Sequence, residues 1–132
     1  MKAARLFIRL LGVIWALPYT LLGVTIGLIG VCFYGRLLLR WPLEFCDGGV
    51  KWFLNRLPGG EFVMAITFGH VILGRTEAAL DISREHELVH VRQYERWGPF
   101  FGPAYLGCSL WLWLAGRNGY RDNPFEREAY GD

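Results

Sequence analysis

Cysteine is scarce in these 132 residues and comes without a partner: Cys32, Cys46 and Cys108 make an odd number with no regular spacing. That excludes a disulfide framework and a zinc ribbon, and two of the three stand inside apolar stretches as small hydrophobes. An excess of one charge is missing as well. The formal net charge is +2, from 14 Lys and Arg against 12 Asp and Glu, and Lys2, Arg5 and Arg9 account for it. Behind them the chain is balanced, so no nucleic-acid surface is expected. The first apolar run is too long for a secretory signal core and is followed by no A-x-A-like cleavage site.

Apolar and aromatic residues are abundant, at 53% and 16%. Mean hydropathy is positive, which leans away from an ordinary soluble domain. The length suits one compact domain plus an anchor. From Leu10 to Gly35, 26 residues pass without a charge, and about 20 apolar residues can cross a bilayer as a helix. Pro18 divides the run, so the expectation is a tilted membrane helix or a shallow helical hairpin that re-enters on the same side. Residues 1–40 are then a membrane anchor, and the bilayer is the first expected partner. Gly23 and Gly27 form a GxxxG step at which another helix could approach. Basic residues flank the run on both sides (Arg36, Arg40 and Lys51 follow it), so charge does not select an orientation.

The remainder reads as an α+β domain, mostly helical, over residues 41–132. Residues 41–60 mix tryptophan with charge and close on Pro-Gly-Gly, as an interfacial segment or short helix ended by a turn. Residues 62–74, "FVMAITFGHVILG", are rich in β-branched and aromatic side chains broken at Phe68-Gly69, a β-hairpin signal. Its strand, if left with an open edge, could take an extended peptide. A helix is expected over 82–97, capped by Asp81 or Ser83 and stopped by Gly98-Pro99. Trp97 to Gly116 is again uncharged but interrupted by Pro99 and Pro103, with a helix expected over about 103–115. A last short helix opens at "DNPFEREAY".

Within the 82–97 helix stands "HELVH". Residues four apart share a helix face, so His86 and His90 can reach one ion, and Glu87 beside the first can act as general base on a metal-bound water. Two ligands are too few for a catalytic zinc, which usually takes three from the protein and keeps one position for water. The metzincin continuation fails, because Gln93 and Arg96 stand where glycine and histidine would be. A di-iron bundle fails too, since Glu-x-x-His occurs once and Thr67 precedes His70 by three. The remaining candidates lie in residues 121–132. Asn123 is a good N-cap, Pro124 suits the first helical position, and Glu126 falls where a capping-box glutamate reaches back to the cap. Glu128 is free to point elsewhere, and Asp132 follows it one turn on.

"HELVH" followed by "EREAYGD" resembles the gluzincin zinc metallopeptidases, whose HExxH helix is completed by a glutamate on a downstream helix. "AITFGHVILG" is similar to the strand pair ahead of that helix in small members. The resemblance covers residues 62–132 and implies Zn²⁺ held by His86, His90 and Glu128, Glu87 as base, and Asp132 orienting the first histidine. The expected function is a membrane-anchored zinc peptidase acting on a peptide or protein near the bilayer. The alternative is a non-catalytic membrane interaction module with a structural or vestigial metal site. If Trp97–Gly116 crossed the membrane, the histidines and the glutamate would lie about 30 Å apart, so that run is expected to pack behind the HExxH helix or lie in the interface. His70, at the hairpin turn, is a lesser candidate for touching substrate, Gln93 shares the histidine face, and Tyr94, Tyr105, Tyr120 and Tyr130 are equal candidates for steadying an oxyanion.

Overall fold

A computed structural model describes residues 1–131 and shows an α+β fold. Helix α1 (Lys2–Trp15) runs into α2 (Leu17–Cys32) through Ala16, and the two axes bend by 56° there. The cause is Pro18 in the first turn of α2: it has no N–H to continue the ladder. No single helix is long and apolar enough to cross a membrane, and α1 and α2 pass that test only as a bent pair. The expectation of one tilted membrane helix over 10–35 is corrected accordingly.

Gly23 and Gly27 do admit a close neighbour, but it is the chain's own sheet and not another helix. A Cβ on Gly23 would stand 2.8 Å from Cβ of Val71, on Gly27 2.5 Å from the Phe45 ring, and on Gly30 2.5 Å from Val50 Cγ2. A strip of small residues thus seats α2 on the core of Phe45, Val50, Val71 and Leu73, all fully buried.

The sheet has the order β1-β2-β4-β3. Strand β1 (Arg36–Leu38) pairs antiparallel with β2 (Leu43–Cys46), so the sheet begins inside the segment expected to be anchor. β2 runs parallel to β4 (Val71–Gly74), and α3 (Gly48–Asn55) lies in the connection between them. β3 (Ala65–Phe68) and β4 form the expected hairpin, turning through Gly69 at φ 61°. β3 is an edge strand. Neither β1 nor β2 is expected from the sequence. Each is three or four residues long, and the middle of β2 is Glu44, whose buried carboxylate is held by Arg40 and Arg84, each at 2.6 Å.

Helix α4 (Glu77–Trp97) begins five residues before the expected start, because Thr76 caps it by accepting from the Ala79 N–H at 3.0 Å. Asp81 instead pairs with Arg40, and the Ser83 hydroxyl donates to the Ala79 carbonyl. Gly98 stops the helix at φ 55°, beneath the Trp15 ring. Helix α5 (Phe101–Leu114) is anchored at its start, where Phe101 packs with Ala16 and Tyr94, and is largely exposed beyond it. The chain then returns, and α6 (Pro124–Ala129) packs against α4. Nothing therefore separates the two ends of the expected ligand set.

Candidate metal centre

Three helical turns bring the chemistry together. α4 puts His86 and His90 toward α6 and Glu87 toward β3, and Asn123 fixes where α6 starts. The Asn123 side chain is fully buried: its Oδ1 accepts from the Phe125 N–H, and its Nδ2 donates to the Tyr105 carbonyl and to Ser109 Oγ. The start of α6 is thereby tied to α5. Glu126, one position past Phe125, then faces the two imidazoles.

His86 Nε2 lies 3.2 Å from His90 Nε2 and 3.3 Å from Glu126 Oε1, and His90 Nε2 lies 2.5 Å from the same oxygen. These three residues form a group that could hold a metal ion. A tetrahedral ion with bonds of about 2 Å sets its ligand atoms about 3.3 Å apart, so two edges of the triangle already fit and the third must open by less than about 1 Å.

The carboxylate on the histidines is Glu126, which corrects the expectation of Glu128. The capping box does not form, because the Asn123 N–H already donates to the Tyr120 carbonyl, and Glu126 is left free to face α4. Glu128 turns away, accepting from Gln93 Nε2 at 2.7 Å and from Arg96 at 2.5 Å. Those two donors hold its carboxyl below the usual range. Asp132, expected to orient His86, lies outside the described residues. The Nδ1 atom of His86 is buried without a hydrogen-bond partner among the described residues, and the Tyr130 ring lies 4.3 Å from the His86 ring.

Gln93 takes the orienting position for the other histidine. Its Nε2 faces two acceptors, the Phe125 carbonyl and Glu128, so its amide orientation is determined and Oε1 is left to accept from His90 Nδ1 at 2.8 Å. With Nδ1 carrying the proton, neutral His90 presents the Nε2 lone pair to the ligand triangle.

Electrostatics agree with the geometry. Burial pushes the Glu126 carboxyl up, but the bonds to His86 and His90 outweigh it and hold the group at about 2. For His90 burial lowers the pKa, yet the bond and charge of Glu126 raise it above the ordinary value. Glu87 is 4% exposed and raised by burial, with the hydroxyl of Thr67 on β3 donating to its Oε2 at 2.6 Å.

The other candidates stand outside the ligand triangle, some of them against it. His70 is buried, bonded through Nε2 to Glu95 at 2.7 Å and stacked on Trp41. Tyr94 spends its hydroxyl on the Thr67 carbonyl. Tyr120 and Tyr130 share a hydroxyl contact of 2.8 Å on the His86 side, and burial together with Glu126 raises the Tyr105 hydroxyl. A cavity of about 530 Å³ lies between α1 and α4; it is lined by Glu128 but by none of the three clustered residues. The cluster opens to solvent mainly at His86, whose side chain is 17% exposed against 3% for Glu126. Comparison of the chain with family models, with curated proteins and with solved structures gives no match.

Proposed function

We propose that the chain is a membrane-held, zinc-dependent peptidase of the gluzincin type, with His86, His90 and Glu126 as the zinc ligands. The observation that carries the reading is the convergence of three ligand atoms within 3.3 Å of one another, with a buried glutamate following the first ligand in the chain. Two imidazoles and a carboxylate are a donor set that suits Zn²⁺ and leaves one position for water.

A zinc ion held by His86, His90 and Glu126 would supply a water of lowered pKa and polarise the scissile carbonyl. Glu87 would be the base for that water, accepting its proton as the oxygen bonds the carbonyl carbon and returning it to the amine nitrogen as the C–N bond breaks. Thr67 holds the Glu87 carboxylate from the sheet, which limits its rotation and keeps one oxygen free for proton transfer. Strand β3 pairs with no second strand on its outer side, and apart from the Thr67 carbonyl, which accepts from the Tyr94 hydroxyl, that edge would offer N–H and C=O groups to an extended peptide beside Glu87.

A second reading has one observation in its favour: the cluster is mostly buried and does not line the cavity between α1 and α4. The metal would then be structural, in a module that binds a partner. The experiment that separates the two measures zinc and cleavage together. Full-length protein is expected to hold one zinc, lost in His86→Ala and Glu126→Ala and kept in Glu128→Ala. Glu87→Gln is expected to keep the metal and lose cleavage of a quenched-fluorescence peptide library. If the wild type holds zinc but cleaves nothing while metal removal lowers its Tm, the structural reading stands. If it holds no zinc, both fall.

A further inference from the structure

Much of the chain's apolar surface has no partner in the fold. Arg9, Gly12 and Ala16 follow one another at helical spacing toward α4: Arg9 lines the cavity there, a Cβ on Gly12 would meet Glu95 Cβ at 3.1 Å, and Ala16 packs with Tyr94. Leu6, Leu10 and Ile14 occupy a different side and are 52–65% exposed. On α5, Leu110, Trp111 and Trp113 are 56%, 73% and 69% exposed. The elbow between α1 and α2 holds the start of α5. There the Trp15 ring lies 5.8 Å from Phe100, and the Tyr19 hydroxyl donates to the Pro99 carbonyl while accepting from the Gly102 N–H. Isolated exposed leucines are ordinary, but a joined surface of this kind marks an interaction site.

Charge identifies the occupant. No Asp or Glu precedes Glu44, whereas Lys2, Arg5, Arg9, Arg36 and Arg40 do; Arg36 and Arg40 are paired with carboxylates, which leaves Lys2, Arg5 and Arg9 as the basic edge of α1. The cavity between α1 and α4 continues the basic edge: Ile8, Arg9, Arg92 and Arg96 line it, and its two glutamates are engaged by His70 and Arg96. Arg9 and Arg92 have no ion pair among the described residues. Leucine and tryptophan edged by free guanidinium groups complement acyl chains beneath an anionic headgroup layer. A second copy docking through the same face would present the same basic edge.

Length and packing decide the depth. Sixteen residues give α2 a reach of about 24 Å, short of the roughly 30 Å of hydrocarbon. Its glycine face is already seated on the sheet, so carrying α2 across would drag buried Glu44 and its arginines toward the hydrocarbon. We infer that the chain is monotopic: the α1–α2 elbow and the outer face of α5 enter one leaflet of an anionic bilayer, and the amino terminus, the sheet and the metal cluster stay on the same side. This deepens the membrane part of the proposed function and stands independently of the zinc, which a labelling experiment does not read.

The test uses full-length protein added to preformed vesicles of phosphatidylglycerol and phosphatidylcholine. Cys32 and Cys108 are replaced by serine, fully buried Cys46 is kept, and single reporters are placed by Lys2→Cys or Arg121→Cys, both exposed positions. A membrane-impermeant maleimide added outside is expected to label both reporters to completion while the protein floats with the vesicles. Protection of either reporter until detergent is added would overturn the single-leaflet arrangement. Recovery as a lipid-free dimer would overturn the bilayer as occupant. Leu110→Asp with Trp113→Asp is expected to weaken flotation by more than about tenfold with helix content unchanged, and undiminished flotation would remove α5 from the surface. Pure phosphatidylcholine vesicles are expected to bind less; equal binding would remove the basic edge from the argument.

Discussion

Gln93 joins three parts of the centre with one neutral amide: it accepts from His90 Nδ1 and donates to the Phe125 carbonyl and to Glu128, which in turn binds Arg96. Losing the amide would release the ring of His90 and remove the donor that joins α4 to α6. Gln93→Leu keeps the volume and removes all three bonds, so zinc affinity is expected to fall about 10–100-fold, read by competition with a chromophoric chelator. An unchanged affinity would reduce Gln93 to packing. Thr67→Val is the complementary probe: zinc content should stay the same while cleavage falls, because only Glu87 loses a bond. Much of this was legible beforehand. His86, Glu87 and His90 follow from spacing alone, since i and i+4 share a face whatever the tertiary structure. The third ligand does not. Glu126 and Glu128 differ by about 200° around a helix, and the choice turns on whether the Asn123 N–H needs a partner. Tyr120 supplies one, from a turn the sequence pattern does not reveal.

The helices and strands were legible in proportion to how local their causes are. The β3–β4 hairpin rests on Gly69 between β-branched runs, and the end of α4 on Gly98-Pro99, so both fall where expected. The start of α4 was misplaced because Thr76, Asp81 and Ser83 are all competent caps, and Arg40 from β1's side of the fold recruits Asp81. β2 was missed because a strand with a buried glutamate makes sense only once Arg40 and Arg84 have arrived from elsewhere. Helix α2 looked like a free membrane segment because its glycine strip does not say whether a helix or a sheet will cover it. Two alanine substitutions test the cover. In Gly30→Ala the new Cβ would lie 2.5 Å from Val50 Cγ2 and 2.9 Å from its backbone nitrogen, so a loss of about 1–3 kcal/mol is expected. In Gly107→Ala on α5 nothing lies within 4 Å, and a gain of about 0.5–1 kcal/mol is expected from helix propensity. Urea denaturation of the two variants in the same detergent should give opposite signs, and a neutral Gly30→Ala would mean that α2 does not rest on the sheet.

For the molecule as a whole, the ligand triangle ties stability to both pH and metal. In metal-free protein Glu126 is depressed from 4.5 to about 2, so its contribution is present above about pH 4.5 and lost as pH falls toward 2. His90 is raised from 6.5, so its contribution is present below about pH 6.5 and lost as pH rises through its folded value. Glu87 is raised by burial, so its ionisation opposes folding and acts in the same direction as His90 on the alkaline side. The windows overlap between about pH 4.5 and 6.5, and metal-free protein is expected to be most stable there. Zinc reverses the slope above that range: its binding requires the imidazoles unprotonated, and the ion replaces the proton that the histidines and Glu126 otherwise share. Binding to the folded chain alone adds about RT ln(1 + [Zn]/Kd), near 2.7 kcal/mol at a hundredfold excess over Kd. Thermal unfolding from pH 4 to 9, with EDTA and with zinc, should therefore give a maximum near pH 5–6 in the first case and at or above neutrality in the second. Glu126→Gln should flatten both curves, since the charge that raises His90 and completes the triangle is gone, whereas Glu128→Gln should leave both maxima in place. Coincident curves with and without zinc would mean that the three side chains are held together by their own hydrogen bonds and by no ion.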